Sequence, residues 1–270
     1  MSKDHVFNHL EKKYYDYFFN KRKTVSDLIL DSFALEQKYQ NQVKQIKDVG
    51  YVGLQANKPE CNEEFTKIRK EILDYYDKNS DRTYKNPLMT AGVFEYIKSA
   101  LVPFAISYFK CIPTIGYVKI IKSEVSNNSQ DTQFFHRDPG SYNILKSIVY
   151  LNDVGPDGGP LVYVNKSNHD NLIGFSGRMR FNDKFVEHIY PEQAVELTGE
   201  SGQVFFFDAK GIHKGKLPTK KARIAIIVNF TVHPEYGQKD NYSKIKFKMS
   251  EEYSGYDLLL LDSCMPIFGL

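Results

Sequence analysis

Two histidines and an aspartate stand where they could hold one metal ion. In FFHRDPG, His136 and Asp138 lie two apart inside the strand-like run TQFFHRD (132–138). Side chains alternate across a strand, so residues i and i+2 share a face, and an imidazole and a carboxylate can reach one ion together. A His-x-Asp alone is weak, because such pairs arise often by chance and usually mark turns or surface. The second element is GQVFFFDAKGIHKG, where His213 follows a strongly apolar run. Two imidazoles and one carboxylate on a β scaffold form a facial triad, which covers one face of an octahedral iron(II) and leaves three positions open. Two of those positions suit a bidentate 2-oxo acid, and the third suits O2. Ten residues after His213, Arg223 opens the run ARIAIIVNF. A guanidinium there could grip the distal carboxylate of such a co-substrate in fork geometry.

These groups need a rigid frame, and the chain supplies one from about Ile115 onward. Runs rich in Val, Ile, Tyr and Phe alternate with Gly, Pro, Asn and Asp: GYVKIIKSE (116–124), TQFFHRD, KSIVYLNDV (146–154), GPLVYVN (159–165), AVELTG (194–199), GQVFFFDA (202–209) and ARIAIIVNFTVH (222–233). Seven short strands with turn signals between them predict an antiparallel double-sheet jelly roll. No long helix separates consecutive strands, which argues against a parallel α/β sheet. The GPDGG segment lacks the Lys-Ser/Thr ending of a phosphate loop and reads as a hairpin turn.

The first hundred residues read mainly as helix. Leu28, Ile29, Phe33, Leu35, Val43 and Ile46 recur at helical spacing, with Ser26 as the expected N-cap and Gly50 as the stop. A second helix is expected over Glu63 to Lys78, capped by Asn62, with Phe65, Ile68, Ile72, Leu73 and Tyr76 in one stripe. A third starts near Thr90 and meets Pro103, which should kink or end it. YDLLLLD (256–262) fits a helix or strand covering an edge. The expected fold class is therefore mainly β with an α extension, in one domain. Residues 1–112 form a helical part packed on the core, 113–235 a double-stranded β-helix, and 236–270 a C-terminal extension.

With those motifs in order, the stretch from about Tyr117 to Val232 resembles the phytanoyl-CoA dioxygenase family of iron(II)/2-oxoglutarate oxygenases. The matching elements are His136-x-Asp138, then IVYLNDVGPDGGPLVYVNKSNH, then GQVFFFDAKGIHKG, and Arg223. The middle element carries Asp153, Gly158, Gly159, Pro160 and the corner Ser167-Asn168-His169 in family order. The resemblance implies a jelly-roll (cupin-like) core with iron at its mouth, held by His136, Asp138 and His213. It places Arg223 on the 2-oxoglutarate carboxylate, and Gln133 and Lys119 near the co-substrate. Gly215 departs from the family, since some members carry a hydroxyl two residues after the distal histidine. The implied cofactors are iron(II), 2-oxoglutarate and O2, and the implied reaction is hydroxylation of a small molecule with release of succinate and CO2. His169, His188 and His233 receive no metal role.

Composition sets the outer bounds. The net charge of +3 comes from scattered lysines, without the basic face that nucleic acid requires. No apolar run reaches the roughly 20 residues of a membrane span. The start of the chain lacks a secretory pattern, and three separated cysteines (Cys61, Cys111, Cys264) read as free thiols of a reducing, cytoplasmic setting. The segment Lys166 to Gln193 reads as long and irregular, as lids and binding loops often are. Its Lys166, Arg178, Arg180 and Lys184 either favour an anionic substrate or belong to an ordinary solvated loop. Two alternatives share the jelly roll: a cupin-type metal enzyme that needs no 2-oxo acid, and a non-catalytic binding module. The first usually carries more histidine ligands and needs no arginine ten residues after the distal histidine, and the intact set of three ligands disfavours the second.

Overall fold

The computed structural model describes residues 3–29, 32–54, 63–80, 90–129, 131–138, 143–170, 180–232, 256–257 and 260. In chain order come α1 (Lys3–Ile29), α2 (Ser32–Val49), β1 (Tyr51–Leu54), α3 (Glu63–Lys78), α4 (Thr90–Tyr96) and, after the π-helical turn Ile97–Leu101, α5 (Val102–Phe109). The β region holds β2 (Thr114–Ser123), β3 (Phe135–His136), β4 (Leu145–Tyr150), β5 (Leu161–Val164) and β6 (Arg180–Phe181). It continues with α6 (Asp183–Ile189), β7 (Ala194–Leu197), β8 (Val204–Asp208), β9 (His213–Gly215) and β10 (Arg223–Thr231). The strands form two five-stranded sheets, β1-β8-β4-β10-β2 and β6-β3-β9-β5-β7, antiparallel throughout. This is the expected jelly roll, mainly β with helices laid on one sheet.

Strand alternation divides the core into layers. In β8, Val204 and Phe206 face the helices, whereas Phe205 and Phe207 face the space between the sheets. Along β10, Ile224, Ile226, Val228 and Phe230 pack on the helices, leaving the odd-numbered residues to point inward. Phe206 is fully buried, with Phe104 of α5 at 4.3 Å between ring centroids and Phe230 beyond it. Burying a side chain of this size contributes roughly 1.5–3 kcal/mol. A third cluster, including Phe135, Phe181, Val186 and Tyr190, seats α6 on the outer face of the small sheet.

The helical expectations hold in outline and fail at particular residues. α3 occupies the expected span and buries Phe65, Ile68, Ile72 and Tyr76, with Leu73 partly buried. Gly50, at φ 99°, ends α2 by donating its N–H to Ile46 O at 2.8 Å. Ser26, however, is not an N-cap. It lies buried inside α1, donates to Arg22 O and accepts from Ile112 N at 2.8 Å, which ties the helix to the turn before β2. Pro103 neither ends the helix nor forces it into loop. The chain widens into the π turn just before it and resumes as α5, because proline lacks an N–H and its ring crowds the preceding turn. Asn62 and the side chains of Leu28, Ile29, Phe33 and Leu35 lie outside the described residues.

Ten strands replace the seven expected among the described residues. β1 comes from the region read as helical and pairs with β8 at the edge of the large sheet. GPDGG is not a hairpin turn. It carries the chain from β4 in the large sheet to β5 in the small one, through a 3-10 turn ending at Gly159 with φ 71°. The Lys166–Gln193 segment is not a plain loop either, since it contains a 3-10 turn (Ser167–His169), β6 and α6. Of YDLLLLD, Tyr256, Asp257 and Leu260 are described and helical. Leu260 is buried in the helical core, and Asp257 pairs with Lys98 at 3.1 Å. No helix among the described residues is long and apolar enough to cross a membrane.

Candidate metal centre

His136 ends β3, and its backbone partner on β9 is His213, so the two imidazoles face one another across adjacent strands. Their ring centroids lie 4.4 Å apart. Asp138 follows directly beyond β3, where its N–H donates to Ala209 O at 3.1 Å. One ligand atom from each of His136, Asp138 and His213 falls within 4.8 Å of the others. Nε2 of His136 stands 3.9 Å from Oδ1 of Asp138, and Nε2 of His213 stands 3.5 Å from Oδ2. That spacing fits three ligands around one ion, with metal–ligand distances near 2.1 Å.

The backbone selects the tautomer that such a centre needs. His136 Nδ1 lies 2.8 Å from Phe134 O, and His213 Nδ1 lies 2.9 Å from Gly211 O. A carbonyl can only accept, so each Nδ1 carries the proton and each Nε2 keeps its lone pair for the metal. Burial, reinforced by the neighbouring His213, pushes His136 down to about 3. The ring is thus neutral and ready to ligate. Asp138 feels opposing influences. Burial favours its neutral form, but the Lys146 ammonium and His213 override this and hold the carboxyl well below its usual range.

Second contacts fix the frame. Arg137, between His136 and Asp138, donates to Ser167 O at 2.7 Å and Asp170 O at 2.9 Å. Ser167 Oγ accepts from Ile212 N, immediately before His213. The Ser-Asn-His corner therefore pins both ligand-bearing segments at once. The Phe207 and Tyr163 rings pack against the His213 imidazole, and Tyr163 Oη donates to Asp208 O.

Arg223 is buried on the inner face at the start of β10. Its Nη1 donates to Gly159 O and its Nη2 to Ser123 Oγ at 3.2 Å. Gly215, two residues past His213, lies so close that an added Cβ would stand 2.9 Å from Arg223 Nη2. The residue that departs from the family pattern thus borders the arginine itself. Gly215→Ala is expected to displace the guanidinium without unfolding the protein. It should raise the 2-oxoglutarate requirement several-fold at an unchanged melting temperature, which a co-substrate titration beside a thermal melt will read.

The remaining sequence candidates separate. Gln133 sits half-buried on a 3-10 turn (Asp131–Gln133) rather than on a strand. Lys119 lies opposite Ile227, four residues along β10 from Arg223 and on the order of 13 Å from it along the strand. Its Nζ lies 5.1 Å from the centroid of the Tyr117 ring. His169 and His188 are exposed, and Arg178 and His233 lie outside the described residues. Sequence reasoning missed Ser123 and Lys146, and it named Gly159 without foreseeing that its carbonyl accepts from Arg223. Lys146 shows a period-2 signal, since it alternates with inward Ile148 and Tyr150, and a charge at a core position is itself a flag.

This fold and this donor set define the iron(II)- and 2-oxoglutarate-dependent oxygenases. The chain belongs within them to the phytanoyl-CoA dioxygenase (PhyH) family, whose model matches residues 37–225. Among solved structures it is similar to the epimerase SnoN in complex with Fe3+, alpha-ketoglutarate and nogalamycin RO. That match has 15% identity and a TM-score of 0.56 and covers 74% of this chain and 84% of the other. It is also similar to the alpha-ketoglutarate-dependent carbocyclase SnoK from nogalamycin biosynthesis (16%, TM-score 0.54, 71% and 83% covered). A third is EctD from S. alaskensis with bound Fe (15%, TM-score 0.55, 71% and 75%). At these identities the likeness is one of fold. No protein of curated function matches the sequence.

Proposed function

We propose that His136, Asp138 and His213 hold iron(II), and that Arg223, with Ser123 beside it, receives the distal carboxylate of 2-oxoglutarate. The observation that carries this reading is the convergence of two Nε2 lone pairs and one carboxylate beside a buried guanidinium. Bound iron and 2-oxoglutarate would supply oxidising power from O2, with succinate and CO2 as co-products and a hydroxylated small molecule as the main one. The chain's own part is to bind, orient and exclude water. The Nδ1 contacts aim both imidazoles, Arg223 fixes the far end of the co-substrate, and Phe207 with Tyr163 walls the centre. Asp138 fills the position that halogenating relatives leave open for chloride, so oxidation without halogenation is the outcome proposed. The substrate is proposed to be an anionic small molecule. A cytoplasmic setting is proposed from Cys111, whose buried thiol is free and pushed up to about 12 by burial.

The deciding experiment is anaerobic addition of iron(II) and 2-oxoglutarate, read by the weak visible charge-transfer band of the chelate. A band that needs both components is expected. Iron binding with no band at saturating 2-oxoglutarate would transfer the site to a cupin-type metal enzyme.

A further inference from the structure

We propose that Lys146 and Lys119, gathered around the Tyr117 ring on the inner face of the large sheet, form a subsite for an anionic group of the primary substrate. The group would be a carboxylate, phosphate or sulfate. This inference rests on the oxygenase reading above. Register places the subsite. On β10, Asn229 is opposite Tyr117 on one side and Lys146 on the other, and Ile227 is opposite Lys119. Lys146 Nζ lies 5.3 Å from the Tyr117 ring centroid and Lys119 Nζ 5.1 Å from it. Lys146 also contacts Oδ2 of Asp138, the oxygen that stands 3.5 Å from His213 Nε2. Lys146 therefore sits against the candidate metal ligands, and Lys119, opposite Ile227, is one step along the inner face toward Arg223 and Ser123, which mark the co-substrate end.

Charge gives the subsite its ligand. A lysine as buried as Lys146 is costly unless an anion accompanies it. Here that anion is Asp138, with the Tyr117 side chain as a second hydrogen-bond partner, and a divalent ion would take up the aspartate charge. Ion, aspartate, dianionic co-substrate and Arg223 together balance to neutrality, so the loaded centre offers Lys146 no net negative charge. A substrate anion would restore its partner at the point nearest the metal. The Tyr117 ring face attracts both ammonium groups and so eases their mutual repulsion. Lysine suits this task better than arginine, because its flexible stem can turn from Asp138 toward an incoming group.

The test uses the full-length protein loaded anaerobically with iron(II) and 2-oxoglutarate, the charge-transfer band proving that the centre has formed. Sulfate is then titrated against chloride at matched ionic strength, and the shift of the band is followed. A saturable sulfate response is expected, weakened roughly tenfold in Lys119→Met, which removes one charge-assisted contact. Lys146→Met should abolish it. If Lys146→Met fails to load iron, Lys119→Met decides alone. A band that forms but ignores sulfate overturns the subsite and leaves the oxygenase reading standing. So does a Lys119→Met protein that needs more 2-oxoglutarate while responding to sulfate normally, which would return Lys119 to the co-substrate. If no band forms in the unsubstituted protein, the oxygenase reading falls and the subsite falls with it.

Discussion

His213→Ala is expected to abolish iron binding and turnover together. In the proposed centre the substitution removes one of three ligands, and what remains is unsuited to a divalent ion. The His136 ring is tied to Phe134 O and the Asp138 backbone to Ala209 O, which limits how far either can shift to compensate. Asp138 already has the Lys146 ammonium as a cationic partner, which competes with any metal reaching it through two ligands alone. Loss of a group that merely orients a ligand typically costs about 10–100-fold in metal affinity, so loss of the ligand itself should exceed a hundredfold. The Phe207 and Tyr163 rings that pack on the imidazole will face a small cavity, so a lowered melting temperature accompanies the effect without explaining it. His213→Gln fills that cavity and should still bind iron poorly. Iron content after equilibrium dialysis separates the cases, and wild-type affinity in His213→Ala would remove His213 from the centre.

The parts of this site that were legible in the sequence are those with a local period. His136 and Asp138 announce themselves through i, i+2 spacing, and α3 through one apolar stripe ending in Lys78. What stayed hidden depends on partners remote in the chain. Nothing in Tyr51–Leu54 marks it as a strand, because four residues carry too little alternation and its partner β8 lies some 150 positions away. GPDGG has the composition of a hairpin turn. Only the destination of the next strand shows that it crosses between sheets and brings the Gly159 carbonyl to Arg223. Ser26 has N-cap chemistry, yet α1 continues past it because its hydroxyl is used by Arg22 O and Ile112 N. Lys146 sits in a run of six buried residues, where the pattern foretells an apolar side chain and a charge contradicts it. Such local contradictions tend to mark function, and here the contradiction lies against Asp138, a proposed metal ligand.

Arg223→Ala is expected to raise the 2-oxoglutarate requirement about a hundredfold while leaving iron bound. The guanidinium is buried, with Gly159 O, Ser123 Oγ and the bare edge of Gly215 around it. A carboxylate arriving there would gain a fork of two charge-assisted hydrogen bonds in a site shielded from water. Truncating one partner of a buried charge pair typically costs 2–5 kcal/mol, and about 3 kcal/mol corresponds to roughly a hundredfold in affinity. Iron should stay because Gly215, which borders the guanidinium, lies two strand residues from His213, on the order of 7 Å along β9. The contrary view makes Arg223 a purely structural tie between β10, the GPDGG crossing and β2. That view predicts a lower melting temperature with an unchanged co-substrate dependence. Arg223→Lys sharpens the comparison. It keeps the charge but loses the fork, so a binding role demands an intermediate requirement, whereas a structural role has no reason to grade the two variants. Titrating the charge-transfer band with 2-oxoglutarate at saturating iron gives the affinity free of turnover, and a curve in Arg223→Ala that overlays the wild type would return the residue to the scaffold.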